Sequence, residues 1–195
     1  LPTLTFGLRF LDADFDGYQD LILANGHIEP EINSVQKEIT YQQTSQLFWN
    51  SGSGHMVDIS EDSGPFFLEE IVARGLSAGD VDGDGDLDVL MTTNGGRAYL
   101  LRNDGPTGKA IAIKLRSQGG NKRAIGALVS VTSRERTQTQ MVRTGSSYLS
   151  HSPLELTFGV GQVERVERIE IRWPDGTQES IEDVATSQRY QITQG

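Results

Sequence analysis

Nine aspartates in two short loops are the residues of this sequence whose type and spacing could do chemistry. Asp12-Ala-Asp14-Phe-Asp16-Gly17-Tyr18-Gln-Asp20 is followed 68 residues later by Asp80-Val-Asp82-Gly-Asp84-Gly85-Asp86-Leu-Asp88. Carboxylates at alternate positions repel one another unless a cation lies among them. Aspartates at loop positions 1, 3 and 5 send three oxygens toward one centre, and Gly17 or Gly85 at position 6 permits the sharp turn. The carbonyl of Tyr18 or Asp86 at position 7 adds a ligand, and Asp20 or Asp88 at position 9 closes the shell. Hard oxygen donors in this number suit Ca²⁺ better than softer metals.

Two calcium sites are therefore expected: Asp12, Asp14, Asp16, Tyr18 and Asp20 in one, and Asp80, Asp82, Asp84, Asp86 and Asp88 in the other. The carboxylate of Asp86 is expected near solvent, its carbonyl alone ligating. An EF-hand is excluded, because position 12 should be Glu and is Leu23 in one copy and Met91 in the other. The flanks also read as strands. A solvated acidic turn is the competing reading, since Asp and Gly favour turns anyway. Duplication at matched places weighs for calcium. A saturated site holding a tight turn leaves no room for substrate, so the ion's expected role is structural.

Other reactive residues are sparse. There is no cysteine, hence no disulfide, thiolate metal site or cysteine nucleophile. His27, His55 and His151 are the only histidines, and no pair has the i, i+4 spacing of a helical zinc site. His27 ends a strand beside an insertion and is the one residue read as facing a ligand at a propeller mouth. Ser146, Ser147 and Ser150 near His151 invite a hydrolase reading, but no Gly-x-Ser-x-Gly elbow is present. That segment reads instead as a polar β-loop with Tyr148 and Leu149 packed inward. Lys122, Arg123, Arg134, Arg136 and Arg143 read mainly as solvated strand faces, and otherwise as a positive face for the acidic half or for an anionic partner.

The elements that position the loops follow from an internal repeat. Gly7-Leu8 matches Gly75-Leu76 at the 68-residue offset, while Gln46–Asn50 matches Tyr99-Leu-Leu-Arg-Asn103 at an offset of 53. The missing 15 residues are an insertion in the first copy near 29–43, where Ile32, Val35 and Ile39 suit a short amphipathic helix. Residues 6–11, 20–24, 46–49 and 56–59 read as strands of the first copy. Four strands per repeat describe a propeller blade. Two blades cannot close a ring, and the chain opens on Leu1-Pro2, so the rest of the propeller is expected upstream.

The second half reads as strands at 110–115, 128–132, 139–142, 154–158, 166–172 and 190–192, with a hairpin turn at Trp173-Pro-Asp-Gly176. A small antiparallel β-sandwich is the natural architecture. The fold class is thus all-β, with two calcium-loop propeller blades at 1–106 and a sandwich at 107–195. The formal charge of −10 divides along the same line. Residues 1–106 hold 18 acids and 5 bases, and residues 107–195 hold 9 acids and 12 bases. An acidic surface of this kind argues against nucleic acid as a partner. No apolar run approaches the ~20 residues of a membrane span.

These features carry a family resemblance. Phe6-Gly7, the aspartate loop and the strand after it resemble FG-GAP/VCBS repeats, the blades of calcium-bearing propellers, with Arg74-Gly75 departing from Phe-Gly in the second copy. Asn121-Lys-Arg-Ala-Ile-Gly-Ala127, Gly145-Ser-Ser-Tyr-Leu-Ser150, Phe158-Gly-Val-Gly161 and Trp173-Pro-Asp-Gly176, with Asn25-Gly-His27 ahead of them, resemble the ASPIC/UnbV family. The resemblance implies an extracellular, periplasmic or cell-surface location and brings no catalytic function with it.

The expectation is a calcium-stabilised interaction module that binds a protein or glycan partner. One alternative is an enzyme with its site in the propeller funnel or at the junction near His27. Another is a sandwich that only caps or rigidifies the propeller, which a large apolar interface between the halves would support.

Overall fold

The computed structural model describes residues 2–105, 108–134 and 136–195. The expected boundary between Pro106 and Thr107 lies outside the described residues. The first repeat forms a four-stranded antiparallel sheet from β1 (Thr5–Leu11), β2 (Asp20–Asn25), β4 (Gln46–Asn50) and β5 (Met56–Asp58), paired in that order. A small ladder joins β3 (Gln43–Thr44) to β6 (Glu70–Ile71). β1, β2, β4 and β5 lie within a residue or two of their expected places, because alternation and glycine-rich turns mark both ends.

The insertion forms no more than a single turn of the short helix that its apolar spacing suits. Only Ile32–Val35 makes a helical turn, with Ile32 buried and Val35 fully out in solvent. An isolated turn has too few internal hydrogen bonds to repay its nucleation, and Pro30 shortens what can precede it.

The second repeat has three strands, β7 (Ala73–Gly79), β8 (Asp88–Thr93) and β9 (Tyr99–Leu101), with no fourth among the described residues. The 53-residue offset carries β5 onto residues 109–111, and those residues have gone to the other sheet system as the start of β10 (Lys109–Arg116). Ile111, Ile113 and Leu115 alternate into a fully buried core there, which outweighs the weaker burial of an outer blade strand. The two repeats pack face to face: Leu11, Ile22 and Ala24 of one meet Leu76, Ala78, Val89 and Met91 of the other.

The second half stacks two sheets. One contains β11 (Leu128–Ser133), β12 (Arg136–Met141), β16 (Arg165–Arg172) and β17 (Gln178–Ala185) in the order β12-β11-β16-β17, all antiparallel. The other sets β10 between β15 (Leu156–Gly161) and β18 (Gln188–Thr193), and the β10–β18 pair is parallel. The sandwich is therefore mixed rather than wholly antiparallel. Their inner faces share one core built on Trp173, Phe158, Ile111, Ile113, Val129, Val131, Ile169 and Ile171. The turn after β16 forms as expected, with Gly176 N–H donating to the Trp173 carbonyl at 2.9 Å and Gly176 at φ 90°.

A short hairpin, β13 (Gly145–Ser147) and β14 (Ser150–His151), leaves the sandwich and lands on the repeats. Ser147 Oγ accepts from Leu8 N–H at 3.0 Å, and Ser150 Oγ accepts from Leu76 N–H at 3.0 Å. Leu8 and Leu76 are the residues equated by the 68-residue offset, so one hairpin reads the same amide on both repeats. Gly75 admits Ser150, since a Cβ there would stand 2.7 Å from its Oγ. Tyr148 and Leu149 do not pack inward. Leu149 is 89% exposed at the tip, and the half-exposed Tyr148 turns its ring edge-on to Phe6 at 5.0 Å. The hairpin thus joins the halves through hydroxyls on backbone amides and one aromatic edge contact.

Candidate metal centres

Each aspartate loop joins the first strand of its repeat to the second. Asp12 follows β1 and Asp20 begins β2; Asp80 follows β7 and Asp88 begins β8. The position-9 aspartates make the same clasp twice. Asp20 accepts from Ala13 N–H at 2.9 Å and Asn50 N–H at 2.8 Å, and Asp88 accepts from Val81 N–H at 2.8 Å and Asn103 N–H at 3.0 Å. Both therefore tie the loop to the third strand, leaving lone pairs toward the loop centre. Within the loops, Asp14 and Asp16 accept from the amides two residues on, and so do Asp82 and Asp84. Local amide capture of this kind holds a loop of like charges in one shape.

The side chains converge as the sequence anticipates for part of each set. Oxygens of Asp12, Asp14 and Asp20 lie within 4.8 Å of one another, as do those of Asp80, Asp82 and Asp88. Asp84 groups instead with Asp82 and Asp104, and Asp104 was not anticipated because it lies beyond the repeat's third strand. Asp16 and Asp86 stand outside these groups. Asp86 is also not near solvent: it is buried, and its Oδ1 has no partner. The glycines on either side of its neighbour Asp84 let the loop fold that carboxylate under itself.

The first loop is enclosed and the second open. Asp12 is 2% exposed, and its Oδ1 is buried without a partner while its Oδ2 accepts from Gly17 N–H at 2.9 Å. An orphaned carboxylate oxygen among three other acids is the chemistry of a hard cation's cradle, and the donor set fits Ca²⁺. The enclosure comes from the sandwich. Phe15 has φ 58° and gives its carbonyl to Gly161 N–H at 2.8 Å, and the Asp14 carbonyl accepts from Gly108 N–H at 2.9 Å. The Arg136 guanidinium covers the Tyr18 ring at 3.6 Å. In the second loop arginines supply part of the compensation: Arg189 reaches Asp80 at 2.7 Å, and Arg102 reaches Asp104 at 2.7 Å and Asp82 at 3.7 Å.

Without a cation Asp12, Asp20 and Asp86 keep their protons to higher pH than an ordinary carboxylate does. Burial, then the charge of Asp16, pushes Asp12 up to about 8, burial raises Asp20 to about 6, and burial with the neighbouring Asp84 raises Asp86 to about 7. Their ordinary value is 3.8. Between that value and the raised ones the folded state binds more protons than the unfolded, so the contribution of these groups to stability falls as pH rises. Calcium needs the ionised carboxylates, so its affinity climbs over the same window. The metal-free protein is expected to lose thermal stability from about pH 4 to 8, while the increment conferred by calcium grows. A calcium increment that shrinks toward pH 8 would contradict this.

His27 is placed away from these centres. Its Nδ1 accepts from Glu29 N–H at 3.1 Å, and its carbonyl accepts from Arg74 at 2.8 Å. Arg74, the departure from Phe-Gly in the second copy, lies over the Phe6 ring of the first at 4.1 Å. His27 thus helps lock two repeats together, and it does not line the cleft between the repeats and the sandwich.

Residues 12–91 match the family model for the FG-GAP-like repeat, and residues 117–195 match that for ASPIC and UnbV. The first match spans both aspartate loops. The second contains all four local strings that carry the resemblance, yet starts after β10, the central strand of its own sheet. No curated protein matches the chain at a significant level.

Proposed function

We propose that this chain is a calcium-stabilised, propeller-type interaction module acting outside the cytoplasm or at a cell surface, with a protein or glycan as partner. One Ca²⁺ is held by Asp12, Asp14, Asp16, Asp20 and the Tyr18 carbonyl, and a second by Asp80, Asp82, Asp84, Asp88 and the Asp86 carbonyl. The sandwich from about residue 107 onward is the docked companion that encloses the first site. The observation that carries this reading is the buried, partnerless Oδ1 of Asp12 amid like charges. No helix among the described residues is long and apolar enough to cross a membrane.

The reading has an asymmetry to test. Calorimetric titration of metal-free protein is expected to count two calcium ions, with the enclosed site the tighter. Asp12→Asn removes that site and leaves the other. A stoichiometry of zero, or two unchanged sites in Asp12→Asn, would overturn the assignment.

A further inference from the structure

The junction between the repeats and the sandwich is a cleft of about 620 Å³, lined by the cations Arg9, Arg143 and Lys114 alongside the carboxylates of Asp12, Asp80 and Glu155. Arg9 enters it from β1. Its Nη1 donates to Ser152 Oγ at 2.9 Å, and its Nε is buried without a partner. Burial, and then the charge of Arg143 nearby, holds the Arg9 guanidinium below its ordinary pKa. Lys114 lines the same cleft. Among the described residues, Arg189 has ion pairs with Asp80 and Glu155, while Arg9, Arg143 and Lys114 have none.

Two guanidinium groups facing one space, one of them desolvated, are costly unless an anion joins them. A planar guanidinium presents the fork that carboxylate and sulfate oxygens fit, and the exposed Arg143 has no ion pair among the described residues to occupy it. A bare oxyanion would fill only a small part of a cleft this size. The exposed lining is more polar than apolar and offers neutral hydrogen-bonding groups such as Gln19, Gln140 and Ser146. A ligand matching both features carries an acid group on a hydroxyl-rich body.

We propose that this cleft binds an acidic saccharide, its carboxylate or sulfate on Arg9 and Arg143 and its hydroxyls against the neutral side chains. The proposal rests on the interaction-module reading and names its partner class. The test is calorimetry on calcium-saturated protein with a galacturonate tetramer, a sulfated maltotetraose, neutral maltotetraose and an oligoglutamate peptide. At least one acidic saccharide is expected to bind at one site per chain, and the neutral one is not. The exposed Arg143→Gln, and separately Arg9→Gln, should each weaken binding at least about tenfold with the calcium response intact. Failure of both acidic saccharides, equal binding by Arg143→Gln, or binding of oligoglutamate alone would overturn the proposal. A normal calcium response in those cases leaves the module reading standing; a missing calcium response sinks that reading separately.

Discussion

Gly159→Ala is expected to destabilise the chain by about 2–3 kcal/mol and to weaken calcium at the first loop. Gly159 lies in β15, and a Cβ there would stand 2.6 Å from Phe15 Cα and press directly on Asp12 Oδ2. Neither neighbour can swing aside. One is backbone held by the Phe15 carbonyl to Gly161 N–H bond, and the other is a carboxylate already fixed on Gly17 N–H. On either side of Gly159, Phe158 and Val160 are buried in the sandwich core, so β15 cannot retreat without opening a void. Gly161→Ala is the control. Its Cβ meets nothing within 4 Å, and φ 63° costs only the left-handed strain of about 1 kcal/mol. Denaturant unfolding and calcium titration of both variants decide the matter; a Gly159→Ala protein with unchanged midpoint and affinity would refute the close packing of β15 on the first loop.

Trp173→Ala should cost still more, about 3–5 kcal/mol, lowering the midpoint by roughly 10 °C for a chain of this length. Trp173 is 1% exposed and is the largest fully buried side chain. It also anchors its hairpin, since its N–H donates to the Thr177 carbonyl at 2.9 Å while its own carbonyl holds Gly176. Its indole N–H is buried without a partner. Trp173→Phe removes that unmade hydrogen bond along with part of the ring, so its cost should fall well below that of alanine. A Trp173→Phe protein as unstable as Trp173→Ala would show that filling the core with a ring contributes nothing at this position.

Most of the aspartate loops and strands were legible because they repeat and alternate. The aspartate loops announce themselves twice, and β10, β11 and β16 carry alternating apolar residues that only a half-buried strand needs. What escaped had no such signal. Strand β17 is Gln-Glu-Ser-Ile-Glu-Asp-Val-Ala, an edge strand with only Val184 buried, and Asp183 at φ 53° interrupts its period. The apolar Tyr148-Leu149 pair suggested an inward turn, but its hairpin is held by serine hydroxyls on amides of the repeats, a partner no local pattern reveals. The lost fourth strand of the second repeat is a competition between two sheets for residues 109–111, decided by long-range burial.

The glycines of Phe158-Gly-Val-Gly161 and the serines of Gly145-Ser-Ser-Tyr-Leu-Ser150 acquire a common physical meaning from these contacts. Gly159 lets β15 lie against the first aspartate loop, and Ser147 and Ser150 fasten the hairpin to β1 and β7. Both strings sit where the sandwich meets the repeats, so the enclosure of one metal loop is built from the second half of the chain.

The central claim is that the aspartate loops are calcium sites on which the fold depends. Thermal unfolding of the same protein at pH 7.5, in excess calcium and in excess chelator, tests it most directly. Binding to the folded state alone should raise the midpoint, by an amount that grows with the logarithm of calcium concentration. A higher, concentration-dependent midpoint in calcium, absent with magnesium at equal concentration, is the predicted result; identical midpoints in calcium and chelator would contradict the account.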